Sequence, residues 1–105
     1  MEVLEAIRTR RTIRKFKSEP VSDDLVEKVL EAGRWAPTGS NLQPWRFVVI
    51  KNQAILDMIR KVSPGYLGAT PMAIAVCSDK ATAHAKGGKL GRDYLTIADC
   101  SMAAE

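Results

Sequence analysis

Pro37 and Pro44 constrain the fold of this chain more than any other pair of residues. Proline fixes φ and carries no amide hydrogen, so a helix cannot pass through either position without losing a bond. Between them lies Thr38-Gly39-Ser40-Asn41-Leu42-Gln43, mostly residues that favour turns. Whatever precedes Pro37 must stop there, and whatever follows Pro44 must begin a new element.

The flanking patterns say what those elements are. Ser22 is a suitable N-cap, with Asp23 and Asp24 in the first turn favouring the positive end of the helix dipole. Leu25, Val26, Val29, Leu30 and Ala32 then continue an amphipathic helix to about Trp35 or Ala36. Beyond Pro44, the apolar run from Arg46 to Ile50 predicts a buried strand. Helical spacing returns through Ile55, Leu56, Ile59 and Val62, and Ser63-Pro64-Gly65 ends it. A second strand is expected from Met72 to Cys77, where Met72, Ile74 and Val76 alternate with smaller residues.

The two ends read less sharply. Val3, Leu4 and Ile7 predict a short helix from Met1 to about Thr9, followed by a basic stretch and a turn at Ser18-Glu19-Pro20. Residues 79–91 are polar and contain Gly87, Gly88 and Gly91, so a mobile excursion is expected there. From about Arg92 a helix is expected, with Tyr94, Leu95, Ala98 and Met102 on one side and Ala98, Ser101 and Ala103 small enough for close packing. Ala103-Ala104-Glu105 offers no cap or breaker, which predicts a fragment ending inside a helix. The pattern is that of an α+β chain supplying two strands. By itself it allows either antiparallel strands or a right-handed parallel crossover.

At 105 residues the chain suffices for one small domain. A domain this small buries a modest share of its surface, so a partner is expected to complete the core. The net charge of +4 is concentrated, because Arg8, Arg10, Arg11, Arg14, Lys15 and Lys17 fall in one short stretch. Only Phe16 lies nearby for base stacking, so a phosphate-bearing small molecule is favoured over a nucleic acid. No Walker A or G-x-G-x-x-G sequence is present.

Cys77 and Cys100 form no C-x-x-C, and His84 is the single histidine, so no zinc set is expected. Both cysteines lie in apolar segments, which predicts buried, reduced thiols. No signal peptide is evident and no run approaches the ~20 apolar residues of a membrane span, so a cytoplasmic location without membrane attachment is expected.

Two stretches carry chemistry. Arg10-Arg11-Thr12-x-Arg14 offers guanidinium forks that match phosphate oxygens, although a solvated basic face would have the same composition. Pro37-Thr38-Gly39-Ser40-Asn41-Leu42-Gln43-Pro44-Trp45 combines a glycine with two amides that both donate and accept. That mixture suits the edge of a planar heterocycle, while an ordinary helix-to-strand connection would also fit. Trp45 could pack beside such a ring, or belong to the core.

Taken together and in order, these stretches resemble the signature of the nitroreductase family. The resemblance runs through Arg10-Arg11-Thr12-Ile13-Arg14-Lys15-Phe16, Pro20-Val21 and Ala36 to Val49. Thr70-Pro71 before the second strand is similar to the family's Ala-Pro, and Asp99 to Glu105 resembles the opening of its long central helix. The resemblance implies helices packed on a mixed, mainly antiparallel sheet, with residues 1–105 the N-terminal part of a single domain cut within the central helix. It implies a homodimer with FMN at the interface. Arg10, Arg11 and Thr12 would hold the FMN phosphate and ribityl chain, and Arg14 would lie near the pyrimidine edge. Pro37, Thr38, Gly39 and Asn41 would reach the flavin bound mainly by the other subunit.

The implied activity is ping-pong electron transfer from NAD(P)H through FMN to a nitroaromatic, quinone or similar acceptor. The cofactor carries that chemistry, so no catalytic acid or base is assigned. His84, Tyr66 and Asp99 are read as surface, packing and helix residues. The family's second half supplies further strands and phosphate contacts, and a chain without it need not form a whole pocket. Two other readings share these features: a same-fold flavoenzyme performing dehalogenation, flavin destruction or azoline oxidation, and a non-catalytic module binding an anion or a partner protein.

Overall fold

The computed structural model describes residues 1–63 and 68–105. Helix α1 (Val3–Thr9) precedes an extended basic segment, and α2 (Asp23–Arg34) leads into the proline-bracketed loop. Strand β1 (Trp45–Ile50), α3 (Gln53–Val62) and β2 (Ala73–Ser78) follow. Helix α4 (Lys80–Leu90) then joins α5 (Thr96–Ala104) through a wide turn at Gly91–Leu95.

Local chemistry accounts for the element starts. The Leu25 amide donates to Ser22 Oγ at 3.4 Å, and the Ile55 amide to Asn52 Oδ1 at 3.2 Å, which caps α2 and α3. Trp35 closes α2 two positions before Pro37, as the proline requires. The strands pair antiparallel, Trp45 opposite Ser78 through Ile50 opposite Ala73, which removes the parallel alternative. Tyr66 and the Pro64-Gly65 pair lie outside the described residues.

Helix α5 is the centre of the packing, lying against β1, β2 and α2. Gly33 is buried where these meet, and a Cβ there would come within 3.0 Å of Phe47 Cζ and 3.5 Å of the Ala103 carbonyl. Among the described residues, the buried apolar side chains include Val26, Leu42, Trp45, Leu56 and Ala83, so Trp45 belongs to the core. Helix α1 buries none of its residues; Val3, Leu4 and Ile7 are all exposed.

Three expectations are corrected. Within residues 79–91, Lys80–Leu90 form α4, kinked at Gly88, rather than an excursion. Asp79 accepts hydrogen bonds from both the Thr82 amide (3.1 Å) and its hydroxyl (2.9 Å), and Ala81, Ala83 and Ala85 favour helix. Its glycines serve close approach: a Cβ on Gly87 or Gly91 would meet Leu42 Cδ1 at 3.0 or 3.2 Å. Gly88 alone takes a left-handed conformation, with φ of 62°.

The buried face of α5 is also not the expected one. Thr96 and Asp99 point inward with half-buried Cys100 and Ala103, while Tyr94 and Met102 are exposed and Ala98 lies on the open side. The helix carries apolar residues on both faces, and spacing alone could not say which face meets the sheet. Finally, Cys77 is exposed and Cys100 half-buried, because Cys77 falls at the open end of β2. Both thiols are free, as expected.

Candidate flavin site

The basic segment leaves α1 at Arg10 and stays on the surface throughout residues 10–16. Arg11 Nη1 donates to the carbonyls of Arg8 (2.9 Å) and Arg10 (2.8 Å), which draws its side chain back over the helix end. Arg10 Nε lies 3.2 Å from Glu105 Oε1, both side chains being exposed. Thr12 is exposed beside them. Arg14, Lys15 and Phe16 line an open cleft of about 590 Å³ with Gly68 and Ala69. The segment thus presents three guanidinium groups and a hydroxyl within a few positions, a donor set suited to a phosphate.

The loop between the prolines is built differently. Leu42 is fully buried and Pro44 nearly so, and together they pin its far end. Backbone bonds run from the Asn41 amide to the Thr38 carbonyl and from the Leu42 amide to the Gly39 carbonyl. The Gln43 amide donates to Thr38 Oγ1 at 3.4 Å, and Gln43 Nε2 to Asn41 Oδ1 at 2.9 Å. Ser40, Asn41 and Gln43 hold left-handed φ values of 52°, 52° and 49°. Asparagine tolerates that region; serine and glutamine adopt it at a cost of roughly 1–2 kcal/mol per residue.

Gly39 joins the loop to the centre of the fold. Its amide donates to Asp99 Oδ1 at 3.1 Å, and a Cβ on Gly39 would lie 3.1 Å from the Leu95 methyl carbons. Asp99 is 3% exposed, and its Oδ2 is buried with no hydrogen-bond partner among the described residues. Asp99 is therefore more than the plain helix residue expected of it. The one available signal was a carboxylate on a helix that otherwise reads as a packing element.

The remaining surroundings are electrostatically simple. Desolvation pushes the Cys100 thiol above its ordinary range. Hydrogen bonds from the Thr82 amide and hydroxyl hold the Asp79 carboxyl below the usual carboxylate range, helped by Arg46 Nη2 at 3.1 Å. His84 is exposed, in line with its reading as a surface residue. Among the described residues no group of His, Cys, Asp and Glu could hold a metal ion, and no helix is long and apolar enough to cross a membrane.

One chain does not bring the basic segment and the loop together: no hydrogen bond or ion pair joins residues 10–14 to 37–41 among the described residues. Both border α5, through Glu105 and Asp99 respectively. Pro37 and Glu105 line the same shallow cleft, together with Gly33 and Trp35.

Residues 7–98 match the model of the Nitroreductase family, a span that contains both the basic segment at 10–14 and the loop at 37–41. The chain belongs to the nitroreductase family.

Members of the nitroreductase family resemble it along its whole length. A protein of Methanothermobacter thermautotrophicus, provisionally named an NADH dehydrogenase/NAD(P)H nitroreductase, is 36% identical over 107 aligned residues, covering 100% of this chain and 52% of its own length. The crystal structure of a nitroreductase family protein from Clostridium difficile 630 superposes with a TM-score of 0.78 at 33% identity, covering 98% of this chain and 58% of that one. An FMN-dependent nitroreductase from Clostridium difficile R20291 gives a TM-score of 0.76 at 28% identity, over 97% and 56% of the two chains. The chain thus spans about half the length of the relatives it matches, and its α+β fold is that of the nitroreductase neighbours. The relatives' names support an oxidoreductase in general terms.

Proposed function

We propose that residues 1–105 form the N-terminal part of a single nitroreductase domain that binds FMN and oxidises NAD(P)H in the cytoplasm. The observation that carries this reading is the run of exposed guanidinium groups at Arg10, Arg11 and Arg14 flanking Thr12, within the span that matches the family. Three permanent cations at such spacing repel one another and gain most from an anion placed among them. The donor set fits a phosphate monoester, with Arg10, Arg11 and Thr12 holding the phosphate and ribityl chain.

Bound FMN supplies two-electron transfer, in ping-pong fashion, from NAD(P)H to a nitroaromatic, quinone or similar acceptor. The chain supplies position and field. Arg14, in its open cleft, stabilises negative charge developing at the pyrimidine edge of the ring. Pro37, Thr38, Gly39 and Asn41 form a stiff edge that reaches a flavin held mainly by a second copy of the chain. The separation of the two residue groups within one chain supports that homodimeric arrangement, as does the exposure of Val3, Leu4 and Ile7 on α1.

The test compares FMN with riboflavin, which lacks the phosphate, by quenching of flavin fluorescence. FMN is expected to bind at least about tenfold more tightly, a gap of about 1.4 kcal/mol, and Arg10→Ala to narrow that gap. Equal affinity for both flavins would overturn the assignment of the basic segment to the phosphate.

A further inference from the structure

We infer that Asp99 is a positioning residue: its carboxylate clamps the Gly39 amide and so fixes the loop edge that meets the flavin. The inference rests on the reading of Thr38, Gly39 and Asn41 as flavin contacts. Its own ground is geometric. Asp99 sits on α5, the element packed against both strands, and Gly39 lies sixty positions earlier in the chain.

Energetics separate this role from ordinary packing. A carboxylate 3% exposed loses its water, and here it recovers one hydrogen bond on Oδ1 while Oδ2 goes unpartnered. Such an arrangement contributes little to global stability and can cost it. What the bond does is local. Ser40, Asn41 and Gln43 all hold left-handed backbone conformations, which relax unless both ends of the loop are fixed. Leu42 and Pro44 hold one end by burial, and the Gly39–Asp99 bond holds the other. A loop held in its binding conformation before the ligand arrives does not spend binding energy on ordering.

Asp99→Ala removes the acceptor, while Asp99→Asn keeps an oxygen at the Oδ1 position. Asp99→Ala is expected to weaken FMN binding about tenfold, with the melting temperature nearly unchanged, and Asp99→Asn to restore the wild-type affinity. Hydrogen exchange at the Gly39 amide is the second readout and needs no flavin: slow in the wild type and Asp99→Asn, fast in Asp99→Ala. Unchanged FMN affinity in a folded Asp99→Ala protein overturns the inference, as does fast exchange at Gly39 in the wild type. If Asp99→Ala does not fold, wild-type affinity and slow exchange in Asp99→Asn support the inference, and lost affinity in Asp99→Asn overturns it. A wild-type protein that binds no FMN defeats the flavin reading instead, and the clamp then stands or falls on the exchange rates alone.

Discussion

The Arg10 guanidinium lies 3.2 Å from the Glu105 carboxylate, so the first residue of the basic segment is held against the end of α5. Both side chains are well exposed, at 59% and 70%. An ion pair in that setting is worth at most about 1 kcal/mol. A phosphate with two charges and several acceptors displaces it readily. Glu105→Gln is therefore expected to tighten FMN binding by about fivefold at most, whereas Arg10→Ala weakens it. Fluorescence titration checks both signs.

Leu42 is the side chain on which the loop is hung. It is fully buried, and Gly87 and Gly91 are glycines where its methyl groups approach. Leu42→Ala is expected to cost about 2–5 kcal/mol in denaturant unfolding. Gly91→Ala acts from the other side, since its Cβ would stand 2.6 Å from the Ala83 carbonyl. A cost of about 1–3 kcal/mol is expected. A neutral result at either position would contradict the packing described for α4.

The two thiols should react at different rates. Cys77 is exposed, while Cys100 is half-buried and its thiol is pushed up by desolvation. Mild alkylation followed by mass analysis is expected to give a single early adduct at Cys77. The same shift has a consequence for stability. As pH climbs, the unfolded chain ionises Cys100 first, so the folded state loses relative stability above the ordinary thiol range. Replacing Cys100 with serine should remove that part of the alkaline slope.

At the acid end, Asp79 works in the opposite sense. Its folded value is lowered, by the Thr82 amide and hydroxyl first and Arg46 less strongly. Its contribution is complete above the usual carboxylate range and disappears as pH falls through the lowered value. Asp79→Asn keeps a good N-cap but cannot titrate. It is expected to preserve the helical circular dichroism of α4 at neutral pH and to flatten the acid limb of the stability curve. An unchanged acid limb would count against the cap.

Much of the framework was legible because its signals are local. Ser22 caps α2 and Pro37 limits it, and Ile55 to Val62 carry a clear helical period, so these elements lie within a residue or two of expectation. Helix α4 was not legible, since its glycines, two of which (Gly87 and Gly91) let Leu42 and Ala83 approach, look in sequence like flexibility. The orientation of α5 was hidden by its two apolar faces. In the site, the residue types at 10–14 and 37–41 could be read from the family resemblance. The left-handed Ser40 and Gln43 and the bond from Gly39 to Asp99 could not, because long-range pairing leaves no mark on local spacing.

As proposed, this chain forms part of a flavin-dependent NAD(P)H oxidoreductase. The most direct test is the visible absorption spectrum of the purified protein with added FMN, recorded on the 105-residue chain and on any longer natural form that carries it. A protein-bound flavin band that NAD(P)H bleaches and that Arg10→Ala weakens is expected. A protein that stays colourless at high FMN in both forms would contradict the proposal, and would leave a non-catalytic anion-binding fold in its place.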